Sequence, residues 1–206
     1  MATHRFVPTH YHNVLGKLPP ALTVKSGDTV ITQTLDAGGV DKSGHKLAEP
    51  PNPMNGPIAV VGAVPGDALR IDIIRMTAIR DSGWTMSGVA SNVVDPEFIT
   101  RLPPRDKITW SIDQKAKTVK LAEPSAALKN MVLPLQPMIG CLGVAPRLGQ
   151  SISTETSAEH GGNMDYRLLG PRTTIWFPVA TDGGLFFLGD CHAAQGDGEI
   201  VGTGIG

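Results

Sequence analysis

The sequence predicts a mainly β protein, a sandwich-like fold with short helices, and three observations carry that expectation. Its 24 glycines and 17 prolines are about a fifth of the 206 residues, which disfavours long helices and supplies tight turns. The apolar runs between them are short and rich in β-branched or aromatic residues, as in Ile58–Ala63 and Leu185–Leu188. The run Ala68–Met76 alternates apolar Leu69, Ile71 and Ile73 with polar Arg70 and Asp72, the signature of a strand with one wet face.

The elements follow in order. Leu22–Val24 and Thr29–Thr32 read as two strands, with Ser26-Gly27-Asp28 supplying the reversal between them. Asp36 ends the second apolar stretch, and a polar, glycine-rich loop runs from Gly38 to Pro57. After Ile58–Ala63, the turn Pro65-Gly66-Asp67 launches the alternating strand, the same device as at Gly27-Asp28. Residues 81–135 form a possible sub-domain or insertion within one domain covering 1–206. Within it, Asp95-Pro96 opens a short helix, and Lys107–Asp113 with Thr118–Leu121 form a hairpin. Pro137–Pro146 is rich in small residues suited to close backbone approach, and strands at Thr173–Val179 and Leu185–Leu188 complete the set. The chain stops at Glu199–Gly206 on what reads as a strand, so the fold is expected to be incomplete at its C-terminus.

Composition narrows the function. Balanced charge, 18 basic against 19 acidic residues, gives no field for nucleic acid or an anionic membrane. Aromatics at 5% are too sparse for a base-stacking platform. No apolar run reaches the ~18 residues of a spanning helix. The first residues lack the apolar centre of a secretion signal, and Cys141 and Cys191 read as free thiols, so the expected location is the cytoplasm. Phosphate loops, dinucleotide fingerprints, a nucleophile elbow and a His-Glu-x-x-His motif are all missing.

The densest chemistry lies in Gly189–Glu199, where Asp190, His192, Gln195, Asp197 and Glu199 crowd into eleven residues. Acids and an imidazole following a buried strand suit a metal or a water-activating carboxylate; the same Asp and Gly residues also suit a calcium-binding or hydrogen-bonded turn. Asp190 and His192, two apart on a strand end, share a face, and Cys191 points the other way. A second cluster, His160-Gly161-Gly162-Asn163-Met164-Asp165, offers ligands and amide donors, or simply a Gly-Gly turn with an Asp cap. Asp36 is a third candidate, either reaching into a pocket or starting a turn.

Taken in order, several segments resemble the acetamidase/formamidase family. They are Leu18–Val24, Ser26–Val30, Thr34–Ala37, Asn55–Ile58, Gly62–Leu69, Ile139–Pro146, Gly161–Asp165 and Asp190–Glu199. The resemblance spans almost the whole chain and implies a β-rich hydrolase of short aliphatic amides, formamide or acetamide, releasing ammonia and a carboxylate. It also implies a divalent metal, zinc first, near positions matching Asp36, Asp165, Asp190, His192 and Glu199; the carboxylate-rich loops make calcium the second choice. On that basis His192, Asp190 and Asp36 are expected on the metal, with Asp165 and His160 as further ligands. Glu199 is the expected base, Asn163 with the Gly161 and Gly162 amides steadies the oxyanion, and Gln195 contacts substrate. Family members usually extend beyond Gly206, so a homo-oligomer or a second chain is expected to supply the missing part. Two competing readings are a non-catalytic β-sandwich binding a small ligand or calcium through these acidic loops, and a thiol amidase using Cys191.

Overall fold

The computed structural model describes residues 1–206. In chain order the strands are β1 (Thr3–Phe6), β2 (Val14–Leu15), β3 (Leu22–Val24), β4 (Thr29–Thr32), β5 (Met54–Val60), β6 (Ala68–Ile73), β7 (Ser82–Met86), β8 (Lys107–Asp113), β9 (Thr118–Leu121), β10 (Leu133–Pro134), β11 (Met138–Val144), β12 (Ile152–Ser153), β13 (Ser157–Ala158), β14 (Gly161–Asn163), β15 (Thr173–Pro178) and β16 (Phe186–His192). The protein is mainly β, as its turn-rich composition requires, and its few helical turns are 3-10. No helix is long and apolar enough to cross a membrane.

A six-stranded sheet in the order β13-β14-β11-β16-β5-β3 forms the frame. Its central strand β11 is buried along its whole length, which explains why that segment reads as small and apolar rather than alternating. One face of the sheet packs against the β6–β15 pair and the β1–β4 pair through Leu142, Val144, Phe186, Leu69, Ile73, Phe177 and Phe6. The other face holds Phe187, Cys141 and Met54 against Leu15 of β2. Phe187 and Leu142 are fully shielded from water, each worth roughly 1.5–3 kcal/mol relative to exposure. This gives the layered, sandwich-like build expected from the sequence.

Residues 82–134 make a separate four-stranded sheet, β10-β9-β8-β7, with its own apolar cluster of Trp110, Ile112 and Val119. That cluster also takes in Ala193 and Ile205, so the segment just after β16 ties the two sheets together. The β8–β9 hairpin closes at residues 114–117, as read from the sequence.

Four local expectations are corrected. The Gly27 turn does not make a hairpin: β3 pairs in parallel with β5, and β4 pairs in parallel with β1 in another sheet. Strand propensity gives no indication of the partner, and here each partner lies far away in sequence. β5 starts at Met54, not Ile58, and carries Pro57 inside the sheet, where a register shift against β16 relieves the missing donor. Pro96–Arg101 is a 3-10 helix without a side-chain cap from Asp95. Glu199–Gly206 is not a strand: it turns back, and Ile205 bridges to Ala194 while Gly206 and Trp84 exchange backbone hydrogen bonds at 3.0 and 3.2 Å.

The first residues are tied down by Asp28, which accepts from His4 Nε2 at 3.0 Å and from the amides of Ala2 at 2.6 Å and Lys25 at 3.1 Å. The His4 contact, helped by the two amides, holds this carboxyl far below the usual range. A carboxyl depressed on folding contributes stability above its unfolded pKa of about 3.9 and loses it as pH falls through the folded value. Asp28→Asn is therefore expected to lower the thermal midpoint at pH 7, with the gap to wild type closing as pH drops below 3. A gap constant with pH would mean the side-chain shape, not its charge, does the holding.

Candidate functional site

β16 runs into the acidic cluster and carries its first part. The strand runs through Gly189, Asp190 and Cys191 to His192, with Asp190 at a positive φ of 52°. Cys191 packs against the main core, and Asp190 and His192 turn the other way toward Asp165 from the loop after β14. The Asp165, Asp190 and His192 donor atoms lie within 4.8 Å of one another.

His192 Nε2 is the centre of the arrangement. Asp190 Oδ1 lies 3.4 Å away, Glu199 Oε1 3.6 Å and Asp165 Oδ1 3.8 Å. The imidazole side chain is 2% exposed, and neither ring nitrogen has a hydrogen-bond partner. The Oδ1 atom of Asp165 is also shielded from solvent and unpartnered, although its side chain is 17% exposed. Burial alone would depress the His192 pKa, but contacts with Asp165 and Asp190 and the charges of Asp190 and Glu199 outweigh it, pushing it up to about 10. Burial, then the charge of Asp165, raises Glu199 in turn, against the pull of His192.

Two glycines make room for this. A Cβ on Gly140 would sit 2.6 Å from Asp165 Oδ1 and 2.8 Å from Asp190 Oδ2, so the two carboxylates converge only over a bare backbone. A Cβ on Gly204 would lie 2.6 Å from the His192 ring. The returning tail thus presses on the imidazole and aims Glu199 at it.

The profile of the acetamidase/formamidase family matches residues 7–152 and 149–205. The chain belongs to that family. It is 25% identical to a formamidase of Methylophilus methylotrophus, covering 89% of this chain and 58% of the relative. It is 26% identical to an acetamidase of Mycolicibacterium smegmatis, covering 89% of this chain and 59% of that one. The crystal structure of an acetamidase from Bacillus halodurans superposes with a TM-score of 0.78 at 31% identity, covering 98% of this chain and 66% of that one. The chain therefore spans less than two thirds of the length of these relatives.

The acetamidase/formamidase fold brings together Asp165, Asp190, His192 and Glu199, and separates other candidates from them. Asp36 is buried but committed elsewhere: Arg80 places two N–H groups on its Oδ2 at 3.1 and 3.2 Å, Trp84 Nε1 adds a third at 3.2 Å, and the Val40 amide takes Oδ1 at 2.9 Å. It is not one of the three clustered donors, and both of its oxygens are already engaged by Arg80, Trp84 and Val40. His160 is 3% exposed with Nε2 unpartnered, yet it also lies outside the cluster, and burial lowers its pKa.

Gly161 and Gly162 do not form an anion nest. They are β14 residues held between β11 and β13, and a Cβ on Gly161 would meet the Leu142 carbonyl oxygen at 2.5 Å. Their φ values of 88° and 104° serve that close passage. Asn163 donates Nδ2 to Asp165 Oδ2 at 2.8 Å and accepts at Oδ1 from Asn52, so it braces a carboxylate instead of facing a substrate. Gln195 donates to the Asp165 carbonyl at 2.7 Å, leaving its Oε1 buried and free. Arg80 and Asn52 were not legible as site residues, since each acts through a partner distant in sequence, and Gly204 carries no side chain to mark it. Gly140 carried a signal, lying in a run of small residues.

Cys141 and Cys191 are free thiols. Burial pushes the Cys191 thiol up to about 11, so almost none is thiolate at neutral pH.

Proposed function

We propose that this chain hydrolyses small linear amides of the formamide or acetamide type, with a divalent metal, zinc foremost, held by Asp165, Asp190 and His192. The observation that carries the proposal is the buried Nε2 of His192, surrounded at 3.4–3.8 Å by oxygens of three carboxylates. The residues fit a metal on three counts. Donors about 2.0–2.2 Å from a tetrahedral zinc stand roughly 3.3–3.6 Å apart, close to the spacings here. Three carboxylates against one imidazole leave surplus negative charge in a buried place, which is costly without a cation. And Asp165 Oδ1 and His192 Nε2 have no other partner. The imidazole favours zinc over calcium, which takes an all-oxygen shell.

A metal bound there would lower the pKa of a coordinated water and polarise the amide carbonyl. The remaining work falls to the chain. Glu199, its carboxyl pKa raised by burial and by the charge of Asp165, accepts the proton of the attacking water at a carboxylate oxygen and returns it to the departing nitrogen. Gln195 Oε1, buried and unpaired, can accept an N–H of the amide, a donor that an ester lacks.

Elemental analysis of the purified protein, combined with ammonia release from formamide and acetamide, tests the reading. Stoichiometric zinc with ammonia release supports it; bound calcium without ammonia supports a cation-binding sandwich instead. Cys191→Ala is expected to keep full turnover, and its loss would revive a thiol mechanism.

A further inference from the structure

We infer that Asn52 and Asn163 form a directional amide relay that selects Oδ1 of Asp165 as the metal-binding atom, making both asparagines positioning residues for the cation. The inference rests on the metal site proposed above and adds what orients it.

The relay begins at a group whose role is unambiguous. The Thr154 carbonyl oxygen can only accept, and Asn52 Nδ2 reaches it at 3.3 Å. That contact fixes which end of the Asn52 amide is nitrogen. The same Nδ2 donates to Asn163 Oδ1 at 3.1 Å, which in turn fixes the Asn163 amide, and Asn163 Nδ2 then donates to Asp165 Oδ2 at 2.8 Å. Each link leaves one arrangement for the next, so a backbone carbonyl decides how a carboxylate far along the chain is presented.

The consequence falls on Asp165. Oδ2 is occupied by the Asn163 N–H, whereas Oδ1 is buried, unpartnered and 3.8 Å from His192 Nε2. The backbone needs this support: Asp165 has φ of 42° and Asn52 φ of 38°, a region non-glycine residues adopt sparingly and asparagine and aspartate tolerate best. The Asp165 carbonyl is clamped by Gln195 Nε2 at 2.7 Å and its amide by the Gly140 carbonyl at 3.1 Å. The main chain is thus pinned on both sides, and rotation of the carboxylate is the freedom left. The relay removes it. Hydrogen bonds of this kind to metal-binding carboxylates commonly change affinity 10–100-fold.

Two variants of the full chain test this, by zinc titration of chelator-stripped protein against a competing chelator dye. Asn163→Ala removes the donor to Oδ2. Asn52→Asp keeps size and shape but cannot donate to Asn163, so it reverses the amide and turns Asn163 Oδ1 onto the carboxylate. Both are expected to bind zinc about 10–100-fold more weakly than wild type, measured at a temperature where circular dichroism shows Asn52→Asp folded like the wild type. Should Asn163→Ala fail to fold, Asn52→Asp carries the comparison alone. Wild-type zinc binding with undiminished affinity in the folded variants overturns the relay and leaves the metal site standing. A wild-type protein that takes up no divalent metal overturns both.

Discussion

Glu199→Gln is expected to retain its divalent metal and lose turnover by about 10²–10⁴, the usual worth of a positioned general base. The substitution keeps the size of the side chain, and the tail is held by its own backbone bonds at Ile205 and Gly206, so it should still close over His192. What it removes is proton affinity. A neutral amide cannot take the proton of the attacking water or return it to nitrogen. The check is ammonia release together with metal content on the same sample. Unchanged turnover refutes the base assignment. Loss of metal along with turnover would make Glu199 a ligand instead, which its 3.6 Å distance from His192 Nε2 also permits.

The second large effect concerns stability. Asp36→Ala leaves Arg80 without its counter-ion, with 22% of that side chain exposed and Asp36 itself only 3% exposed. Breaking a buried pair costs roughly 3–5 kcal/mol, and the partial exposure of Arg80 places this one near about 3. For a chain of this size that is a fall in melting midpoint of about 6–12 °C. The Trp84 indole N–H and the Val40 amide also lose their acceptor, and Trp84 is the residue whose backbone exchanges hydrogen bonds with Gly206. Metal content at low temperature is expected to stay at the wild-type level. A variant that keeps its melting midpoint but loses metal would restore Asp36 as a ligand.

The contrast between Asp36 and Asp190 shows how far local sequence reaches. Both are acids after an apolar stretch beside glycine, and both end up buried. Nothing within several residues of Asp36 announces Arg80 or Trp84, which arrive from 44 and 48 residues away. Asp190 and His192, by contrast, are two apart on one strand, so their shared orientation follows from the chain itself. Asn163 was read as a donor to substrate because an asparagine beside two glycines has an amide to offer. Only the fold shows that this donor goes to Asp165 Oδ2, while the amide oxygen accepts from Asn52, 111 residues distant.

From sequence alone came the β class, the β8–β9 hairpin, the family, and the pairing of Asp190 with His192 on one face opposite Cys191. These depend on turn chemistry, strand periodicity and ordered motifs, all of which operate over a few residues. Only the tertiary structure decided that Asp165 and Glu199 meet His192, that Asp36 belongs to Arg80, and that β3 and β4 join different sheets. Those outcomes rest on contacts between distant segments, where the energy comes from burial and from pairing of charges and not from any local preference.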